Sequence, residues 1–382
     1  MVTRPSVVLH VFNYFTPDFT GEGIYATKMF AHLHALGVHN EVLVKRTHPR
    51  VAGVREQAVA APGPHTIHYL PPRRSRFVPE WQIAWWILRF GRRYTAVHYH
   101  SHCDRRFLSL LLLRAFRVRV IMSCTLDDSP RAVVDSYSPR YRWLAKRLLR
   151  LVHTFVSISP KLHADTGGVV SAARHVLVPQ GVDAPPEPRR ERERLRREAG
   201  LAADDFALLF VGALCERKNP LFLIDQLPAI LRRHPGTRLF VVGPTTEDRY
   251  AERLVARVHE LGLGSAVRFV GFTERAEDWY AIADAMVFGS TNEGFGNVLL
   301  EAMAFGVPVV ARLLPGVTDS FIADGESGLL FDDAAGYLRA VDALAADRSL
   351  RERIAARAME EARGRFSLRL VAQRYASLYT SR

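Results

Sequence analysis

Short apolar runs alternate with segments of helical periodicity from one end of this chain to the other. Val7–Phe12, Glu41–Val44, Thr66–Tyr69, Ala96–His100, Val118–Ser123 and Thr154–Ser157 predict strands in the first half. Ala207–Val211, Arg238–Val242, Val267–Val270, Ala285–Phe288 and Pro308–Ala311 predict them in the second. Strands in such an alternation pair in parallel, because each helix carries the chain back across a face of the sheet. At 382 residues there is chain enough for two cores. The expected class is therefore α/β, with two doubly wound domains over residues 1–185 and 186–365. The turn-rich Pro179–Pro186 separates them, and the Arg- and Glu-rich run Arg189–Arg197 after it reads as a solvated helix. The segment 366–382, with Leu370, Tyr375, Leu378 and Tyr379 at helical spacing, is expected to pack back on the first domain.

Composition removes several classes. With 48% hydrophobic and 24% charged residues the chain is neither disordered nor fibrous. Cys103, Cys124 and Cys215 are too few and too scattered for a disulfide framework or a cysteine zinc site, which fits a reducing compartment, the cytoplasm. No leader is read before the first strand. The longest apolar run, Phe107–Leu113, falls short of the roughly 20 residues that span a bilayer and reads as a buried helix.

The net charge of +13 is one-sided. Residues 1–185 hold 25 Lys and Arg against 11 Asp and Glu, while residues 186–382 hold 27 against 28. A positive field over one half draws anionic partners to it. Glu187, Glu191, Glu193 and Glu198 dilute the basic run between the domains, and no nucleic-acid partner is expected. Trp81, Trp85 and Leu88 share a helical face, with Arg73, Arg74 and Arg76 before them and Arg92 and Arg93 after. That pattern fits an amphipathic helix on an anionic membrane, or equally a helix of the core.

The most informative window is Ser290–Val310. A strand ends at Phe288, a glycine-flanked turn follows, a helix starts near Asn297 and stops at Gly306, and another strand starts at Pro308. Open α/β sheets bind ligands at this carboxyl end of a strand. Gly294 and Gly296 allow close approach of the backbone, and the amides that open the following helix suit a phosphate. Glu293 and Glu301 flank the turn, and carboxylates beside a phosphate pocket are suited to accepting from sugar hydroxyls.

Two other clusters carry alternatives. Gly21-Glu22-Gly23 matches part of a dinucleotide fingerprint, but a long loop separates it from the strand ending near Phe12, where a dinucleotide fold turns tightly. His98, His100 and His102 alternate on a strand and, with Asp104, imitate a metal site, although a strand end beside a cleft explains them as well.

Glu293 and Glu301, with seven residues between them and followed by Ala302-Met303-Ala304 and Gly306-Val307-Pro308-Val309, resemble the paired-glutamate signature of the retaining glycosyltransferases of family 4. Phe210–Leu214 with Arg217 and Lys218, Val178–Asp183, Phe240–Pro244 and Phe269–Phe272 extend the resemblance in order over nearly the whole chain. It implies the GT-B fold, two facing Rossmann-like domains with a cleft between them. It also implies transfer of a sugar from a UDP- or GDP-linked donor to an acceptor hydroxyl, in polysaccharide, lipopolysaccharide or other glycoconjugate synthesis.

On this resemblance Glu293 contacts the transferred sugar, Arg217 and Lys218 grip the diphosphate, and Glu301 binds the ribose. Gly294, Phe295, Gly296, Asn297, Val298 and Gly212 surround the donor, and Phe272 lies near the base. Gly21, Gly23, His100 and Asp128 face the acceptor, a glycan or lipid-linked sugar at the inner face of the cytoplasmic membrane. The chain departs from the pattern twice. Ala213 stands where the family often has arginine, and Asp127 falls where many members have a catalytic histidine. No metal or other cofactor is expected, and no Asp-x-Asp pair occurs. The alternatives are a basic membrane- or nucleic-acid-binding protein on a degenerate scaffold, and a nucleotide-sugar epimerase of the same fold.

Overall fold

The apolar runs are buried on both faces, as strands of a parallel sheet clothed by helices must be. The computed structural model describes residues 6–15, 21–45, 59–60, 65–70, 80–100, 107–126, 129–183, 185, 187 and 191–380. It divides into two units, Met1–Pro179 with Leu368–Arg382, and Gln180–Ser367.

The strands of the first unit are β1 (Ser6–Phe12), β2 (Val38–Val44), β3 (Val59–Ala60), β4 (His65–Tyr69), β5 (Ala96–Tyr99), β6 (Arg119–Cys124), β7 (Thr154–Ser157) and β8 (His175–Leu177). They form one sheet in the order β3-β4-β2-β1-β5-β6-β7-β8, parallel except for the β3 edge. Its helices are α1 (Gly21–Ala35), α2 (Glu80–Phe90), α3 (Leu108–Ala115), α4 (Pro130–Asp135), α5 (Arg142–Leu148) and α6 (Pro160–Gly167). Ser129 and Ser159 cap α4 and α6 through their hydroxyls, with a proline at the first helical position of each. The order of strands reverses between β1 and β5, which places a switch point at their carboxyl ends.

The second unit carries β9 (Phe206–Val211), β10 (Thr237–Val242), β11 (Val267–Gly271), β12 (Ala285–Phe288), β13 (Val309–Arg312) and β14 (Leu329–Phe331). They run parallel in the order β11-β10-β9-β12-β13-β14, the doubly wound arrangement, with the switch point between β9 and β12. Around them lie α7 (Arg192–Glu198), α8 (Pro220–Arg233), α9 (Asp248–Glu260), α10 (Ala276–Ile282), α11 (Asn297–Ala304), α12 (Ala334–Ala346) and α13 (Arg348–Gly364). The chain then returns to the first unit as α14 (Leu368–Thr380), whose Val371, Ala372, Tyr375 and Tyr379 join a core with Phe30 and Leu33 of α1. The stretch from Gln180 goes with the second unit, where Val182 donates to the Phe366 carbonyl at 2.8 Å and pairs with Ser367.

Three expectations need correction. The basic helix, α7, is not simply solvated: Arg192 and Arg196 turn inward onto the Asp284 carboxylate, at 2.5 and 2.9 Å, because guanidinium groups that leave water must be paired. The run Phe107–Leu113 is buried on one side only, through Leu110 and Leu113, while Leu108 and Leu111 face solvent. On α14 Leu370 lies on the exposed side.

Candidate active site at the strand ends of the second sheet

Backbone geometry opens the site. Gly212 follows β9 and Gly243 follows β10, and the Gly212 amide donates to the Val242 carbonyl at 2.9 Å. A Cβ on Gly243 would stand 2.0 Å from the Gly212 carbonyl oxygen, so no side chain can occupy this junction. A single 3-10 turn, Glu216–Lys218, then presents two cations at the switch point before Asn219, in the left-handed region, and Pro220 start α8.

The loop between β12 and α11 is stitched onto that turn. Thr291 donates its amide to the Arg217 carbonyl at 2.9 Å, and Arg217 Nη1 donates to the Asn292 carbonyl at 2.8 Å. Lys218 Nζ and Arg217 Nη1 lie 2.7 and 3.0 Å from one oxygen, Glu293 Oε1, at angles that make these charge contacts and not aligned hydrogen bonds. Glu293 itself is only 6% exposed. Two positive charges against one negative leave the cluster cationic, at the place where a doubly wound sheet receives its ligand.

Gly296, at φ 107°, is the N-cap of α11 and turns the chain so that the first helical amides, those of Asn297 and Val298, open the helix beside the loop. The Ser290 hydroxyl and the Asn297 side-chain oxygen are buried with no hydrogen-bond partner, a state that costs stability unless a ligand or solvent completes it. Phe295 points inward and stacks on Phe321 at 4.9 Å, so what it offers a ligand is its backbone. One turn into α11, Glu301 accepts from the Tyr280 hydroxyl at 2.9 Å, and that hydroxyl also bonds the Val298 carbonyl at 3.3 Å. Burial, with the Glu301 charge adding to it, pushes the Tyr280 hydroxyl well above its ordinary range, so it stays a donor.

Glu293, Arg217, Lys218, Gly294, Gly296, Asn297 and Val298 thus come together on two stitched loops. Phe272 follows β11, exposed, after Gly271, whose carbonyl accepts from the Gly243 amide at 2.9 Å. Gly21, Gly23 and His100 belong to the other unit, where Glu22 brings them together: its carboxylate lies 3.5 Å from His100 Nδ1 at the β1–β5 switch point. Asp127 and Asp128 lie outside the described residues, as do Arg73, Arg74, Arg76, Cys103, His102 and Asp104. Ser290 stands at the start of the informative window with no role assigned to it there, and Tyr280 lies outside that window. Nothing in spacing marks Tyr280, whose part depends on α10 packing beside α11.

Comparison with known proteins returns one answer. Residues 20–181 match the family described as "Glycosyl transferase 4-like domain", and residues 191–361 match "Glycosyl transferases group 1". The lipopolysaccharide core biosynthesis glycosyltransferase LpsE of Rhizobium meliloti is 29% identical over 313 residues, covering 81% of this chain and 74% of the relative. The D-inositol 3-phosphate glycosyltransferase of Actinosynnema mirum is 29% identical over 385 residues, covering 91% and 89%. Among solved structures, Anabaena HepE in complex with UDP superposes with a TM-score of 0.74 at 19% identity over 97% of this chain and 98% of that one.

Proposed function

This chain belongs to the GT4-like glycosyltransferases, enzymes of the GT-B fold that draw on a nucleotide-diphosphate sugar, and we propose that it transfers the sugar from UDP, with retention at the anomeric carbon, to a hydroxyl of a glycan or lipid-linked acceptor. The observation that carries this reading is the convergence of Lys218 and Arg217 on Glu293 at the β9–β12 switch point. HepE binds UDP, which favours uridine over guanosine in the donor. LpsE builds lipopolysaccharide core, which favours an acceptor of that kind.

In this proposal the second unit holds the donor and the basic first unit holds the acceptor. Lys218 and Arg217 take the diphosphate, with the Gly212 backbone beside it. Glu293 and the 294–298 backbone take the sugar, Glu301 takes a ribose hydroxyl, and Phe272 borders the base. Gly21, Gly23, Asp127 and Asp128 serve the acceptor side, and His100 borders it.

The bond from the anomeric carbon to the phosphate oxygen breaks as the bond to the acceptor oxygen forms on the same face. The acceptor proton passes to the departing phosphate oxygen, so no protein nucleophile is needed. Negative charge grows on the diphosphate during the step, so the two fixed cations favour the transition state over the ground state. Glu293 and the diphosphate compete for the same cations, and binding of the donor frees the carboxylate to turn to the sugar.

Titration with UDP, followed by turnover of a panel of nucleotide sugars, tests the reading. Micromolar-range UDP binding, weakened about 10-fold or more by Lys218→Ala, is the expected result. Unchanged UDP affinity in a Lys218→Ala, Glu301→Ala double variant overturns it. Conversion of the donor with no acceptor present and the sugar still on its nucleotide assigns an epimerase instead.

We further propose that the first unit docks on an anionic membrane. Trp81, Trp85 and Leu88 of α2 and Leu108 and Leu111 of α3 are exposed on two helices that pack together. Among the described residues between 81 and 126 there are six arginines and no acid, a pairing of apolar and cationic surface that suits lipid headgroups. No described helix is long and apolar enough to cross a membrane.

A further inference from the structure

Away from the donor loops, the densest set of metal-competent side chains among the described residues is three histidines at the other switch point. His10 on β1 and His98 on β5 are register partners on neighbouring parallel strands, and His100 follows His98 by two residues. Each offers a ring nitrogen within 4.8 Å of the other two. His10 and His98 are fully buried and the His100 side chain nearly so, and a neutral imidazole is the form that ligates metals.

The surrounding groups dictate where the protons sit. Asn40 donates its amide to the carbonyls of Phe30 and Val38, at 3.4 and 3.2 Å, which turns its oxygen toward His10. His10 Nε2 must then carry the hydrogen it gives to Asn40 at 3.1 Å, and its Nδ1 is bare. That bare nitrogen faces His100 Nε2 at 3.0 Å, while His100 Nδ1 faces the Glu22 carboxylate at 3.5 Å. In the singly protonated form that can ligate a metal, His100 has one N–H and cannot serve both sides. Placed on Nε2, it leaves a lone pair against the Glu22 carboxylate; placed on Nδ1, it leaves two lone pairs facing each other across 3.0 Å.

We propose that His10, His98 and His100 bind a divalent transition-metal ion of the class that prefers imidazole, such as zinc, at the carboxyl ends of β1 and β5. A cation between His10 Nδ1 and His100 Nε2 removes the conflict, with the His100 proton going to Glu22. Two nitrogens bound tetrahedrally to zinc at ~2.0–2.1 Å stand about 3.3 Å apart. The two rings therefore need to separate by only a few tenths of an ångström. His98 bonds the Tyr379 hydroxyl at 2.8 Å and the Ser123 hydroxyl at 2.9 Å, and it would give up one of them to the ion. Asn40 and Glu22 then act as the outer partners that fix ring orientation and tautomer. The ion would tie β1 and β5 to α1 through Glu22 and to α14 through Tyr379, and no step of sugar transfer is routed through it.

The test uses the full chain without an affinity tag, stripped with chelator, desalted and titrated with Co(II) and Zn(II). One equivalent per chain, visible cobalt absorption bands and a zinc-dependent rise in Tm are expected. His100→Gln, shown to be folded by circular dichroism, should abolish the bands, and Glu22→Gln, at a half-exposed position, should weaken uptake about tenfold. His34 and His39, a solvent-exposed pair 5.5 Å apart, are the control for surface binding, and His34→Gln with His39→Gln should change nothing. Absence of the bands and of the Tm shift in the wild type overturns the proposal. So does uptake that survives both His100→Gln and Glu22→Gln, or uptake that is lost in the His34, His39 variant.

Discussion

The Tyr280 hydroxyl donates to Glu301 Oε2 at 2.9 Å, which ties the carboxylate assigned to the ribose to a fully buried phenol on the neighbouring helix. Tyr280→Phe keeps the ring and removes this bond together with the longer one to the Val298 carbonyl. A hydrogen bond to a charged group is worth about 1.5–3 kcal/mol, so we expect donor KM to rise about tenfold or more with kcat little changed. Equal losses in both constants would place Glu301 in the chemical step instead.

Lys218 is expected to matter more for turnover than for binding, because its charge meets a diphosphate whose own charge grows as the bond breaks. Lys218→Ala should lower kcat by about 10²–10³-fold, the usual loss when one fixed donor to a transition state is removed. Arg217, the more exposed of the two cations, should cost less on substitution. Steady-state rates with a fixed acceptor distinguish the two.

Gly243→Ala should be severe for a reason unrelated to chemistry. Its Cβ would lie 2.0 Å from the Gly212 carbonyl oxygen, and relief requires β9 and β10 to part at their carboxyl ends. A loss of about 4 kcal/mol or more, read as a fall in Tm or in soluble yield, is the expected outcome.

Burial, with the His163 ring stacked at 3.8 Å contributing, lowers His175 to about 4, and the Ser157 hydroxyl holds its Nε2 at 2.6 Å. In the unfolded chain the same group titrates near ~6.5. Because the folded value is the lower one, this contribution to stability is complete above about pH 6.5 and declines as the pH falls toward 4, by at most ~1.4 kcal/mol per pH unit. His175→Gln should flatten that part of the profile, measured as the difference in urea midpoint between pH 7.5 and pH 5 for variant and wild type.

Membrane docking predicts that Trp81→Ser with Trp85→Ser lowers partitioning onto vesicles containing phosphatidylglycerol about tenfold or more, leaving donor affinity unchanged. Equal sedimentation of variant and wild type with those vesicles would make the exposed tryptophans incidental.

What could be read in the sequence was whatever is encoded locally. The β12–α11 unit was legible because the glycines, the helical period of Asn297–Ala304 and the strand at Val309 all lie within one short window. The face shared by Trp81, Trp85 and Leu88 was legible from period alone, but which face would turn outward was not, since Trp86 takes the inward position. Strands of three residues, His175–Leu177 and Leu329–Phe331, give too few residues for any period to register. Side chains whose partners lie far along the chain stayed hidden. The Arg196 guanidinium looks like solvated charge until Asp284 arrives beside it from the strand it precedes, and Tyr280 has no meaning until α10 lies against Glu301.

The return of α14 to the first unit has a consequence for biosynthesis. The core that Val371, Tyr375 and Tyr379 complete stays open on one side while the ribosome is still making the second unit. The nascent amino-terminal half therefore waits, partly unsealed, through the translation of nearly two hundred further residues, and those last turns of helix act as its closing latch.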